Sequence, residues 1–373
     1  MPNDVFSWFR SRGALPRSVL QLLSLPVLFA ACQTAPDPFE REPFPGGFAA
    51  VASPAPVSLR GLVAIDAGNA WVSGQGGVFR TTDGGRSWRD VTPPGPRTRD
   101  FRDVEVVDAT AGGTVALAMV AGTPAEVWRT SDGGGTWTRV LADGRAGAFF
   151  DAMAFAGSVG ALLADPLDGV FQLWTTRDGG TTWQPVAKER LPAPLTGEAA
   201  FAASGSCVHV AAMGQGRGDE AIVRVVTGGA ATARLLVGSL AGPFRVEDLP
   251  LAAGDSSRGA FGLAHSPSGA SCVVGGDYEE PQTSERTVAV APSAAGPWSV
   301  VPASAVGFRS AVVWLDDERL LAVGSHGCSG SADRGVTWRS LGDVGFHAVA
   351  CGVDGTVWAC GSDGRVVRWP LSR

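Results

Sequence analysis

An all-β chain built from seven repeats is what this sequence predicts, and three observations lead there. Glycine supplies 51 of the 373 residues and proline 25, a density of turn formers that opposes a helical reading. An octad of the form Ser/Thr-x-Asp-x-Gly-x-Ser/Thr-Trp recurs four times. A short strand start, usually aromatic or Leu followed by a polar residue and small apolar ones, recurs seven times. The formal net charge of −6 provides no basic field for nucleic acid.

Taken in chain order, the first element is a targeting segment. Arg10, Arg12 and Arg17 precede the apolar run 18–31, which ends in Leu28-Phe29-Ala30-Ala31-Cys32. A positive region, a short apolar core and small residues at the cut describe a secretory signal over residues 1–31, too short for a comfortable membrane span. Cys32 after Ala-Ala resembles the bacterial lipobox, which makes it the lipidated first residue of the mature chain; Phe29 departs from the usual Leu. A plain signal peptide with an incidental Cys is the alternative. Gln33 resembles an outer-membrane sorting signal if the cell is Gram-negative. Residues 32–55 are Pro-rich and read as a tether, leaving residues 56–373 for the folded domain.

The octads are Thr81–Trp88 around Asp83, Thr130–Trp137 around Asp132, Thr176–Trp183 around Asp178, and Ser331–Trp338 around Asp333. Each reads as a hairpin turn: Asp caps backbone N–H groups, Gly supplies a positive φ, and Trp packs between sheets. Two eroded copies end in Phe244 and Trp298, so the terminal aromatics lie 49, 46, 61, 54 and 40 residues apart, one blade each. The four Asp and four Trp are therefore assigned structural roles.

The strand starts give an independent count, with Leu59-Arg60, Phe101-Arg102, Phe150-Asp151, Gly197-Glu198, Arg258-Gly259, Phe308-Arg309 and Phe346-His347. Strand and turn alternate with no helical period after residue 32. Seven blades of four strands fill the domain. The last has no octad after Trp369, so N-terminal residues are expected to complete it and close the ring.

The octad resembles the Asp box, or BNR repeat, of sialidases and several non-catalytic propellers. The longer motifs Asp100-Phe-Arg-Asp-Val-Glu105, Phe149-Phe-Asp-Ala-Met-Ala-Phe155, Gly197–Gly205, Gly275-Gly-Asp-Tyr278 and Phe308-Arg-Ser-Ala-Val312 resemble the photosystem II stability/assembly factor family and its bacterial relatives. That resemblance implies a seven-bladed propeller that binds or assists an envelope or membrane-protein partner. It carries the fold better than the role.

In a propeller the innermost strands line the central channel, and their starts share one face with the loops after the second strands. The second residue of each start is expected to ring that mouth: Arg60, Arg102, Asp151, Glu198, Gly259, Arg309 and His347. Second-strand loops add Asp165, Asp168, Asp277, Tyr278 and His326. Arginines converging with carboxylates and a histidine suit an anion or peptide site. A solvated rim of mutually satisfied ion pairs is the other reading.

Sialidase-type chemistry on acidic glycans is the enzymatic alternative, with Arg60, Arg102 and Arg309 as a carboxylate-binding triad and Tyr278 with Glu279 as the catalytic pair. The chain lacks an Arg-Ile-Pro motif at its first strand, and seven repeats do not match six blades. A non-catalytic glycan-binding module is a third possibility. The glycine-rich stretches 74–77 and 214–218 open no helix, so no nucleotide cofactor is expected. The histidines make no close-spaced metal pattern, and neither cofactor nor metal is expected. Cys207, Cys272, Cys328, Cys351 and Cys360 read as mostly buried thiols. The expectation is an exported, lipid-anchored, monomeric propeller facing the periplasm and acting as a scaffold, with glycoside hydrolysis as the activity if it is an enzyme.

Overall fold

The computed structural model describes residues 44, 47–110, 113–212, 221–294, 296–302 and 306–370. The signal segment 1–31 and Cys32 lie outside the described residues.

Seven four-stranded antiparallel sheets follow one another along the chain, forming a seven-bladed β-propeller. The innermost strands are Leu59–Ala64, Phe101–Thr110, Phe150–Ala156, Val208–Ala211, Arg258–His265, Ala311–Trp314 and Ala348–Cys351, which define blades 1 to 7. The hydrophobicity of the strands follows their radial position. Second strands such as Ala70–Gly74 and Leu320–Gly324 are buried at every residue and are predominantly apolar, with Ser73 a buried exception. The fourth strands, such as Arg89–Asp90 and Gln184–Pro185, are exposed and polar. The core is divided among the interfaces between blades, as where Leu117, Met119 and Val127 of blade 2 cluster with Phe150, Met153 and Trp174 of blade 3.

Blade 7 borrows its outermost strand from the N-terminal side. Ala49 and Ala50 pair with Arg368 and Val367. Phe44 and Phe48 anchor this closure on Trp369, at 5.7 and 5.1 Å between ring centroids. The closing residues lie inside the segment read as tether, so the fold begins before residue 56. Apolar side chains in a Pro-rich stretch were the overlooked signal.

The octads join third to fourth strands of blades 1, 2, 3 and 6, at the end away from the channel mouth. Asp132 shows the local logic: Oδ1 accepts from Thr130 Oγ1 at 2.7 Å and Thr136 N–H at 2.9 Å, and Oδ2 from Thr136 Oγ1 at 2.8 Å. Asp83, Asp178 and Asp333 repeat the pattern. A second device was not anticipated. Arg80 and Arg129, each just before an octad, reach to the next blade and donate to the Gly133 and Gly179 carbonyls at 2.8 and 2.9 Å. Trp183 and Trp338 are buried, whereas Trp88 and Trp137 are half-buried. Trp88 and Trp137 instead spend their indole N–H on the Ala52 and Val91 carbonyls.

Blade 4 departs from the predicted register. Its inner strand is Val208–Ala211, not the segment beginning at Gly197-Glu198. Ala199 bridges Gly228 at the mouth, and residues 200–206 leave the sheet before pairing resumes. The four buried cysteines and half-buried Cys351 are all free thiols.

Candidate functional site at the channel mouth

The inner strands share a local irregularity that builds the site. In blade 1, Leu59 faces Gly74 and Gly61 faces Ser73, leaving Arg60 as a bulged residue between them. The same skip leaves Arg102 bulged in blade 2, Asp151 in blade 3 and Phe261 in blade 5. In blade 6 the Ser310 N–H donates to Val323 O while Ala311 is Val323's register partner, and in blade 7 His347 and Ala348 stand in the same way to Cys360. A bulge releases one residue from pairing and re-aims its side chain.

Five of these bulged residues, Arg60, Arg102, Phe261, Ser310 and His347, line one cavity of about 390 Å³. Residues 200–203 of the blade 4 excursion form another of its walls. That excursion crosses the channel. Arg102 Nη1 of blade 2 donates to Ala202 O at 3.0 Å, and Ser204 Oγ donates to Ser310 O of blade 6 at 2.8 Å. Gly205, at φ +77°, packs so closely on blade 2 that a Cβ there would lie 2.5 Å from Asp103 Oδ1.

The cavity is chemically two-sided. Contiguous blades 7, 1 and 2 contribute His347, Arg60 and Arg102. Arg102 is held by Asp100 at 2.5 Å, while Arg60 makes no ion pair or hydrogen bond among the described residues. Burial, followed by the charge of Arg102, lowers the Arg60 pKa, and burial with both arginines pushes His347 down to about 4. His347 Nε2 lies 3.1 Å from Ser362 Oγ. Opposite stand aromatic rings: Phe201 stacks on Phe261 at 3.8 Å, Phe308 meets Phe261 edge-on at 4.7 Å, and Tyr278 closes on Phe261 at 6.2 Å.

The remaining predicted mouth residues are elsewhere. Arg309 precedes the bulge by one residue, so it points into the blade, buried, with Nη2 on Ser329 Oγ at 2.7 Å; Ser310 occupies the mouth position instead. Gly259 is likewise displaced by Phe261, two residues on. Glu198 is buried against Arg234 and accepts from Thr227 Oγ1 at 2.6 Å. Asp277 pairs with Arg258 at 2.8 Å and accepts the Glu279 N–H at 2.9 Å, shaping the loop that carries Tyr278. Asp151 is fully enclosed, and burial with the nearby Asp165 carboxylate raises its pKa well above the ordinary range. Burial also raises Asp165 to about 6. Asp168 sits exposed in a hairpin turn, and exposed His326 contacts Ser325. Tyr278 is 45% exposed beside Phe201 and Phe261 rather than against a carboxylate, and Glu279 is not part of the cavity lining.

Phe149, Phe201, Phe261 and Phe308 were not singled out from the sequence. Their signal was an aromatic residue at or near the strand starts. Among the described residues no cluster of three or more His, Cys, Asp or Glu has metal-binding geometry.

The fold and mouth define a seven-bladed propeller whose mouth cavity carries Arg60, Arg102 and His347 on one side, with Phe149 against Arg102, and a cluster of aromatic rings around Phe261 on the other. No family model and no curated protein matches the chain. Among solved structures it is similar to YCF48 bound to D1 peptide, at 15% identity over 87% of this chain and 96% of that one, TM-score 0.59. YCF48 from Cyanidioschyzon merolae matches at 15% identity over 86% and 98%, TM-score 0.59. The extracellular domain of BT4673 from B. thetaiotaomicron matches at 13% identity over 88% of this chain and 40% of that one, TM-score 0.57. At these identities the likeness is one of fold.

Proposed function

We propose that this protein is an extracytoplasmic binding or assembly scaffold, resembling photosystem II stability/assembly factors, that engages an envelope protein partner at the channel mouth. One observation carries the reading: Arg60, without a protein partner among the described residues, stands with Arg102 and His347 on one side of the cavity at the mouth. An unpaired, half-buried guanidinium is a costly thing to maintain unless an anion meets it. A structural neighbour whose fold the chain shares binds a peptide, which supports a protein partner over a small metabolite. The octads then serve as Asp-box turns that stiffen the blades, Cys32 as the lipid anchor behind a cleaved signal segment, and residues between it and the ring as a short tether. The scaffold works as a monomer.

Crosslinking in native membranes, with identification of co-purifying proteins, tests the reading against a variant carrying Arg60→Ala and Arg102→Ala. A protein partner captured by the native chain and lost from the variant is the expected result. Equal capture by both moves the interface away from the mouth. Cys32→Ser should release the protein from membranes, and unchanged retention would remove the anchor from the account.

A further inference from the structure

The aromatic side of the mouth says more about the ligand than the arginines do. A cavity built only to hold an anion has no use for five aromatic rings, four gathered at Phe261 and the fifth, Phe149, against Arg102, and a cavity built only for apolar side chains would not hold an unpaired guanidinium. The division follows the ring of bulged positions. Blades 7, 1 and 2 place His347, Arg60 and Arg102 there, while blade 5 places Phe261 at the equivalent point. Around Phe261 the blade 4 excursion adds Phe201, the start of blade 6 adds Phe308, and the loop after Asp277 adds Tyr278. Both sides line a single cavity of about 390 Å³, room for one or two side chains and not for a folded surface.

Resting on the reading of the mouth as a partner site, we infer that its ligand is a peptide element presenting a carboxylate directly beside a large apolar or aromatic side chain. The carboxylate meets Arg60 with Arg102 and His347 flanking it. The apolar side chain lies on the Phe201–Phe261 stack, with the exposed Tyr278 ring as the movable edge of the wall. Charge complementarity selects an anion, and the aromatic wall selects among anions. A chain end with an apolar last residue and an acidic side chain next to an apolar one share this chemistry.

Matched small probes separate the two sides without altering the protein. The probes are N-acetylphenylalanine, its amide, N-acetylalanine, N-acetyl-Asp-Phe-amide and decanoate, followed by titration calorimetry or ligand-observed NMR. N-acetylphenylalanine or N-acetyl-Asp-Phe-amide should bind at least about tenfold more tightly than both the uncharged phenylalanine amide and N-acetylalanine, the ratio that burying one ring or pairing one charge gives. Whichever acid binds better identifies a chain end or an internal acidic residue as the source. Tyr278→Ala, at an exposed position that leaves the fold intact, should narrow the gap between the phenylalanine and alanine acids. Arg60→Gln should narrow the gap between acid and amide.

Equal binding of the alanine and phenylalanine acids, both lost in Arg60→Gln, would overturn the aromatic selection and leave the anionic mouth standing. Decanoate binding more tightly than either aromatic acid would overturn a peptide in favour of a lipid chain. Failure of every probe, together with a crosslinked partner indifferent to Arg60→Ala and Arg102→Ala, would remove the mouth reading as well.

Discussion

Arg234 clasps Glu198 inside blade 4 with two nitrogens, Nε at 2.8 Å from Oε1 and Nη2 on Oε2. Thr227 Oγ1 and the Leu195 N–H complete the carboxylate's shell at 2.6 and 2.7 Å. This pair substitutes for the mouth role expected of Glu198 and ties the blade 4 excursion to the third strand of its sheet. Removing one partner strands the other charge in a buried place. Glu198→Gln and Arg234→Met should each cost about 3–5 kcal/mol, and the double variant less than the two single costs summed. Chemical denaturation of the four proteins measures it; strictly additive losses would show that the clasp is not a coupled unit.

Trp183 is 8% exposed and meets Phe155 edge-on at 5.9 Å, whereas Trp88 is half-buried. Trp183→Ala should therefore cost about 3–5 kcal/mol and Trp88→Ala clearly less. Denaturant midpoints give the order, and a neutral Trp183 variant would contradict its place between blades.

Asp165 binds its proton more tightly folded than unfolded, because burial raises its pKa from 3.8 to about 6. A raised carboxylate contributes stability that is complete below about pH 4 and lost as pH rises through 6. Histidines 209, 265 and 347, lowered by burial to about 4, 3 and 4, run the other way, so total stability mixes both trends. The difference between native protein and Asp165→Asn isolates the carboxylate. The variant should melt higher at pH 7, by up to about 3 kcal/mol in stability, with the gain fading toward pH 4. A gain independent of pH would disprove the assignment.

Gly205 combines φ +77° with the close approach to Asp103, so Gly205→Ala faces both backbone strain and a clash. The expected cost is on the order of 1–3 kcal/mol, together with weaker binding of any mouth ligand, because Ala202 and Ala203 line the cavity on the same excursion. Melting temperature and probe affinity read the two effects separately. Unchanged affinity in a stable variant would uncouple the excursion from the site.

Fold and site were legible in the sequence to different depths, for a physical reason. Octads announce themselves because a hairpin needs Asp, Gly and Thr at fixed offsets, and the closure of blade 7 follows from a third strand with no fourth behind it. Side-chain direction at the strand starts is another matter. A bulge inserts one residue without requiring any particular type, and a slip of one residue sends a side chain to the other side of the strand. Arg60, Arg102 and His347 stand at the bulge and reach the mouth; Arg309 stands one residue before it and is buried, with Ser310 in the place assigned to it. The excursion of residues 200–206 was less visible still, since Ala, Ser and Gly there read equally well as a strand start or a loop.

Arg102 and Ser310 hold that excursion across the channel, with Gly205 packed against Asp103, so it forms the floor of the mouth cavity. Among the described residues, that floor stands between the mouth and the rest of the channel. A peptide of the kind proposed for the mouth would then enter and leave by one path, offering a free end or a tight projecting turn, while continuous extended chain would pass over the rim.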